Sequence, residues 1–368
     1  MTGMGSNAAN VTAFIRCVTT SRLCLSAKPR LKTKDLLLNL PTQSRILLIR
    51  LRSMGDCLLL TSPIRALKEE FPRFKISVLV ETRFAGCFEQ NPDIDEVIAI
   101  SRKSEAFKLV RRRFDLVVNL HGGPTSLFYA LLARGPRIGF EQFQYRRLYQ
   151  GLIPSPDPKL HSVQATLSSL QWLGVEEKTP PPLRYEGKPD SLPRLLGSLH
   201  GPYAVIHPAA LMETKRWEAR KFRELARWLS NQGLAPILTC GPGEESSVAE
   251  VAKGLPSPQI LLGLGIPELA ELIRGAKLYV GNDSGPMHLA AAVGTPILAL
   301  WGSSDSTRWR PWSADHSVVQ NPFECNPCPG YRCLVAPTPL CIESVTVEQA
   351  VAAAEQLLKH HDTHPQPS

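Results

Sequence analysis

The chain has 368 residues, 43% of them hydrophobic and 20% charged, which is room for two ordinary domains with separate cores. Its apolar runs all fall short of the roughly 18 residues that cross a bilayer, so a helical membrane-spanning protein is excluded. The net charge of +9 points to acidic partners, whether nucleic acid, an anionic membrane or a phosphorylated substrate, and no nucleic-acid-binding motif accompanies it.

Residues 1–44 carry no acidic group before Asp35, while Arg16, Arg22, Lys28, Arg30, Lys32 and Lys34 are basic. That composition is transit-peptide-like, and the expectation is a disordered tail. A secretory signal is disfavoured, because Arg16 and Arg22 interrupt the apolar stretch. From Arg45 the chain alternates short apolar runs with helical patterns, the mark of parallel α/β sheets. The pattern predicts strands at Arg45–Leu51, Ile76–Val80, Glu96–Ile100 and Asp115–Leu120, and helices at Asp56–Phe71 and His161–Leu173. A proline-rich stretch follows, and 186–202 reads as a linker. The alternation restarts with strands at Tyr203–His207, Ala235–Cys240, Gln259–Leu262, Lys277–Val280 and Pro296–Leu300. Helices fall at Glu218–Gln232, Glu244–Ala252, Pro267–Arg274 and Pro286–Val293, and Val347–Lys359 closes the chain as an amphipathic helix. The expected division is therefore a first domain over 45–185, a second over 203–345, and a closing helix and tail over 346–368. Two doubly wound halves imply a cleft, with ligands at the C-terminal ends of the strands.

The turns after those strands hold the candidate chemistry. Val280-Gly281-Asn282-Asp283-Ser284-Gly285-Pro286-Met287-His288 joins a buried strand to an alanine-rich helix, so Ser284 and Gly285 stand at a helix N-terminus. Unpaired N–H groups and the helix dipole make such a turn an anion site, although Asp283 or Ser284 can also serve only as a cap. After the first strand, Arg52-Ser53-Met54-Gly55-Asp56 puts Asp56 at a helix start, as an N-cap or as a residue facing the cleft. It is not a dinucleotide fingerprint. Lys215, before a helix, is either an exposed loop lysine or a hold on a diphosphate. Glu244, after Cys240-Gly241-Pro242-Gly243, is either a first-turn glutamate or a ribose ligand. Cys325, Cys328, Cys333 and Cys341 could gather a zinc ion, but their spacing is unusual for one, and little bound metal is expected.

In this order the turns resemble glycosyltransferase family nine, the ADP-heptose:lipopolysaccharide heptosyltransferases. The resemblance runs from about Arg45 to Val347. It rests on R-I-L-L-I-R-L-R-S-M-G-D-C-L-L-L-T-S-P-I-R-A-L, N-P-D-I-D-E-V-I, D-L-V-V-N-L-H-G, R-I-G-F, K-R-W, G-N-D-S-G-P-M-H-L-A-A-A-V-G-T-P and the cysteine-bearing segment after Pro322. It implies a GT-B fold, two Rossmann-like domains facing a cleft, with acceptor on the first and nucleotide-sugar on the second. By that resemblance Asp56 is the general base and Lys215 meets the donor phosphates. Glu244 takes the ribose, and Asp283, Ser284, Gly285 and His288 form the donor turn. Ser53, Gly55 and His121 are acceptor-side candidates. The implied reaction is inverting transfer of heptose, or a related sugar, from ADP-heptose to an acidic lipopolysaccharide-type glycolipid, without metal or other cofactor. The implied place is the bacterial cytoplasm, with peripheral contact to the inner face of the cytoplasmic membrane and no nucleic-acid partner. A nucleotide-sugar epimerase and a non-catalytic nucleotide-sugar-binding protein share the fold and stand as alternatives. Asp93-Ile94-Asp95 has the form of the metal motif of the other large glycosyltransferase fold, but here it is expected to be a connecting loop. The chain departs from the family in carrying Ala209 and Ala210 after His207-Pro208, which removes side-chain hydroxyls from that turn.

Overall fold

Runs such as Ile46, Leu47, Leu48 and Ile49, all without solvent exposure, can be accommodated only in a strand covered on both faces. Twelve such strands build two parallel sheets, in a computed structural model that describes residues 31–363 apart from 177, 188–191, 198–200 and 329. The first sheet contains β1 Arg45–Ile49, β2 Lys75–Glu81, β3 Glu96–Ile100, β4 Leu116–Asn119, β5 Arg137–Phe140 and β6 Gly151–Ile153, in the order β3-β2-β1-β4-β5-β6. The second contains β7 Tyr203–His207, β8 Ala235–Thr239, β9 Gln259–Leu261, β10 Leu278–Asn282, β11 Ile297–Leu300 and β12 His316–Val319. Its order is β12-β11-β10-β7-β8-β9. Renumbered from its own first strand, the second sheet has the same doubly wound order as the first. Each sheet therefore has one point where the winding reverses, between β1 and β4 and between β7 and β10.

The helices that follow these strands are α1 Met54–Glu70, α2 Gly123–Leu132, α3 Ser162–Trp172, α4 Leu192–Leu196, α5 Ala219–Asn231, α6 Glu245–Ala252, α7 Ile266–Arg274, α8 Gly285–Val293 and α9 Val347–Thr363. The core of the second sheet joins Ile206, Leu238, Val280 and Leu300 to Phe222, Leu225 and Leu229 of α5 and to Ala350, Ala354 and Leu357 of α9. No helix among the described residues is long and apolar enough to cross a membrane.

The chain divides into two compact units, and the division is interleaved. One unit takes residues up to Ser53, Ser62–Pro158 and Val163–Pro181; the other takes Met54–Thr61, Lys159–Ser162 and everything from Pro182. This replaces the simple succession of 45–185, linker and 203–345. The stretch expected as a linker contains α4, whose Arg194 pairs with Glu268 of α7 at 2.6 Å.

The tail expected to run to residue 44 also needs correction. Residues 1–30 lie outside the described residues, but Leu31 to Ser44 are folded onto the first unit. The Leu31 N–H donates to Gln150 O, Thr33 Oγ1 donates to Leu152 O at 2.7 Å, and the Leu37 N–H donates to Leu173 O. Leu37 is 1% exposed. Strands β5, β6 and β12 have no counterpart in the predicted elements. They are three or four residues long, too short to stand out as apolar runs, and β6 and β12 are edge strands.

Candidate functional site

The switch point of the second sheet brings together the turns after β7 and β10. Asn282, the last residue of β10, is fully buried and fastens both. Its Nδ2 donates to Pro208 O at 2.9 Å, and its Oδ1 accepts the Trp217 N–H at 3.0 Å. Those two bonds fix the ends of the segment carrying Lys215. The Lys215 ammonium donates to Asp283 Oδ2 at 2.5 Å, with the lysine side chain 19% exposed and the aspartate 6%. The Ser304 hydroxyl donates to the same oxygen. Asp283 and Lys215, both singled out in the sequence, are thus an ion pair, neither a cap nor an exposed loop lysine. Asn282 and Ser304 were not singled out. Asn282 lay inside the quoted motif without a role, and Ser304 has no sequence signal.

Helix α8 begins directly after this pair. Ser284 is its N-cap in extended backbone and makes no side-chain capping bond. Its Oγ is buried without a hydrogen-bond partner, as is Nδ1 of His288 one turn on. Burial pushes the His288 pKa down to about 4, helped by the Lys215 ammonium and opposed by the Asp283 and Asp56 carboxylates. The imidazole is therefore neutral near pH 7 and sits among charges that would respond to an added anion.

The first turn of α1 packs on the first turn of α8 through two glycines. A Cβ on Gly55 would lie 2.6 Å from His288 Cδ2, and one on Gly285 would lie 2.8 Å from the Met54 Cβ. Only glycine at both positions permits that approach. It sets Asp56, in the first turn of α1, in electrostatic reach of His288.

The other candidates have local contacts of their own. Glu244, just before α6, turns its carboxylate back to accept the Gly241 N–H at 3.1 Å. Ser53 is exposed in front of α1, and its peptide bond with Arg52 is cis. His121 follows β4, its N–H bonded to Asn119 Oδ1 at 3.1 Å. Ala209 and Ala210 are buried, and the Ala210 carbonyl accepts from Arg216 Nε at 2.6 Å. Asp95 ties down the first sheet: Lys68, Lys75 and the Ile76 N–H all bond its carboxylate. Burial alone would raise its pKa, but those bonds hold it below the ordinary value. Among the described residues, no three His, Cys, Asp or Glu side chains are arranged to hold a metal ion. Cys325, Cys328, Cys333 and Cys341 are free thiols, from exposed Cys325 to buried Cys341.

Two like-wound parallel sheets, with an anion-ready turn at the switch point of the second, define an α/β protein of the GT-B architecture, a class of nucleotide-sugar enzymes and binding proteins. The comparisons narrow the class. The profile of glycosyltransferase family 9 (heptosyltransferase) matches residues 104–338, and the chain belongs to that family. It is 31% identical over 295 residues to lipopolysaccharide heptosyltransferase 3 of Escherichia coli, covering 72% of this chain and 85% of the relative. A family 9 glycosyltransferase from Veillonella parvula superposes with a TM-score of 0.78 at 23% identity, over 88% of this chain and 99% of that one. The E. coli ADP-heptose lipopolysaccharide heptosyltransferase II superposes with a TM-score of 0.73 at 22% identity, over 86% and 99%. The chain is a glycosyltransferase, which removes the epimerase and the non-catalytic binding protein as readings.

Proposed function

We propose that this enzyme moves heptose from ADP-heptose to a hydroxyl of a lipopolysaccharide-core acceptor, with inversion at the sugar carbon. The observation that carries the reading is the cluster at the start of α8. Lys215 is held on Asp283, and the Ser284 hydroxyl and the His288 imidazole beside it are buried with unused bonding capacity. A diphosphate at that helix end meets the dipole, free N–H groups and the lysine charge, and all three interact more strongly as ADP departs with added charge. On this reading the lysine charge and the helix end take up the charge of the leaving group, and the proposed transfer is metal-independent. The names of the relatives favour heptose, ADP and a lipopolysaccharide acceptor. Asp56 is the proposed base, taking the acceptor hydroxyl proton as the sugar is attacked. Glu244 exchanges its Gly241 bond for the ribose hydroxyls, and Ser53, Gly55 and His121 serve the acceptor side. The acceptor chemistry puts the reaction at the cytoplasmic face of the inner membrane.

The test is calorimetry with ADP-heptose and with adenosine. Lys215→Met should weaken ADP-heptose binding about 10- to 100-fold, the scale of one charge-assisted contact, and leave adenosine unchanged. Equal affinity of the variant for the intact donor would reject the phosphate role. Preference of the wild type for UDP- or GDP-sugars would reject the donor.

A further inference from the structure

The connection from β3 to β4 carries a surface that the reaction does not use. A 3-10 turn over Lys103–Ala106 leads into one helical turn, Phe107–Val110. Ala106 and Leu109 point inward and are fully buried in the first sheet's core with Ala130 and Ala133. The opposite side of the same turn is also apolar. Phe107 is 72% exposed and Val110 is 39% exposed. Burial of Ala106 and Leu109 anchors the turn, and the phenyl ring stands largely in solvent.

Cations follow it along the chain. Lys108 lies beside Phe107 with its side chain 59% exposed and only a 3.7 Å approach to Glu105. Arg111 follows Val110, and Arg113 is bridged through the backbone to Arg134, which gathers their charges at one edge. All three arginines are exposed, and among the described residues none has an ion-pair partner. Arg112, between them, shows the contrast, since it pairs with Glu96. Arg113 and Arg134 precede β4 and β5, at the opposite strand ends from the switch-point turns.

We propose that Phe107 and Val110, with Lys108, Arg111, Arg113 and Arg134, form the surface by which this enzyme sits on an anionic lipid bilayer. A protruding aromatic ring enters the headgroup region, and flexible cations around it are attracted to a diffuse negative surface without needing matched partners. Cations outnumber acids along this edge, which suits a diffuse negative surface. The inference rests on the reading that the acceptor is a lipid, and it gives that reading a docking face.

Co-sedimentation of the full chain with phosphatidylcholine vesicles, with and without phosphatidylglycerol, tests it. Wild-type protein should bind only the anionic vesicles, and salt should release it. Phe107→Ser should lower the partition about tenfold, by loss of buried apolar area. The double variant Arg111→Glu with Arg113→Glu should lower it further, since each basic group near such a surface is worth about fivefold. Both variants should keep the wild-type melting temperature, the affinity for ADP-heptose and transfer to detergent-dispersed acceptor. Unchanged partition in both variants overturns the proposal. So does binding that ignores lipid charge, or light scattering in which Phe107→Ser abolishes self-association while vesicle binding persists. If the partition pattern holds while wild-type protein transfers no heptose, the surface stands and the substrate reading falls.

Discussion

Asn119 and Asn282 end the equivalent strands of two like-wound sheets, both fully buried, and what they hold is different. Asn119 organises a neutral loop. Its Oδ1 accepts the His121 and Gly122 N–H groups, and its Nδ2 reaches Ser126 Oγ and the Tyr149 phenol oxygen. That phenol is pushed up to about 12, chiefly by burial, so it stays neutral. Asn282 organises a charged turn, closing the segment that carries Lys215 onto Asp283. One scaffold thus provides a rigid strand end twice. The second copy closes a buried ion pair onto its strand end, and chemistry follows that addition, not the topology.

The largest expected effect comes from acid. His161, His207 and His288 are each pushed down to about 4, with burial the main cause, and all three belong to the second unit. His161 also places its Nε2 2.9 Å from Arg310 O and its ring against Trp312. The unfolded values lie near 6.5, so below that pH the unfolded chain takes up protons that the native state refuses. Stability is full above about pH 6.5 and declines towards pH 4, by on the order of 2 kcal/mol per histidine at pH 5. Only His121 falls in the first unit's residues. Hydrogen exchange at pH 7 and pH 5 should therefore show the second unit opening first. Uniform loss of protection would break the contrast between the units.

Asp56→Asn comes next. If the charged cluster at α8 extends into catalysis through the first turn of α1, turnover should fall about 100-fold with donor affinity unchanged, the scale of losing a general base. Near-normal turnover at saturating acceptor would leave Asp56 as a helix-start residue only.

The asparagines allow the direct test. Asn119→Ala and Asn282→Ala should each cost about 2 kcal/mol in urea unfolding, because each strands buried N–H or C=O groups. Only Asn282→Ala should also weaken ADP-heptose binding, about tenfold. Equal donor affinity in both would mean that Asn282 secures the fold and not the site.

How much of this could be read in advance depends on the kind of contact. The central strands of both sheets were legible because parallel strands buried on both faces must be continuous hydrophobic runs. Asp56, Lys215, Asp283, Ser284 and His288 were legible as turn residues at strand ends. Their pairing was not, because the bond from Lys215 to Asp283 spans 68 positions and Ser304 enters from the loop after β11. Asp93 and Asp95 show the reverse: their D-x-D form suggests metal, while Lys68 and Lys75 claim the second carboxylate for the sheet. The segment before β1 was misread for a compositional reason. Basic residues without acids look unstructured, and its anchors are one hydroxyl, backbone bonds and Leu37.

That segment gives the smallest prediction and the one confined to the first unit. Thr33 Oγ1 donates to Leu152 O on edge strand β6 and accepts from Trp172 Nε1 at 3.0 Å, at the end of α3. Its methyl fills the space over Gly151, where a Cβ would come within 2.6 Å of it. Thr33→Val keeps the shape and removes both bonds, leaving a strand carbonyl and an indole N–H without partners at a half-buried site. The expected cost is about 1 kcal/mol in urea unfolding, with donor affinity unchanged. Deleting residues 1–30 keeps the Leu31, Thr33 and Leu37 contacts and should leave that stability intact, whereas deleting residues 1–40 should exceed the Thr33→Val loss by also removing the buried Leu37 side chain. If both deletions behave alike, the segment is not a strap on β6 and α3, and the edge of the first sheet is protected by some other means.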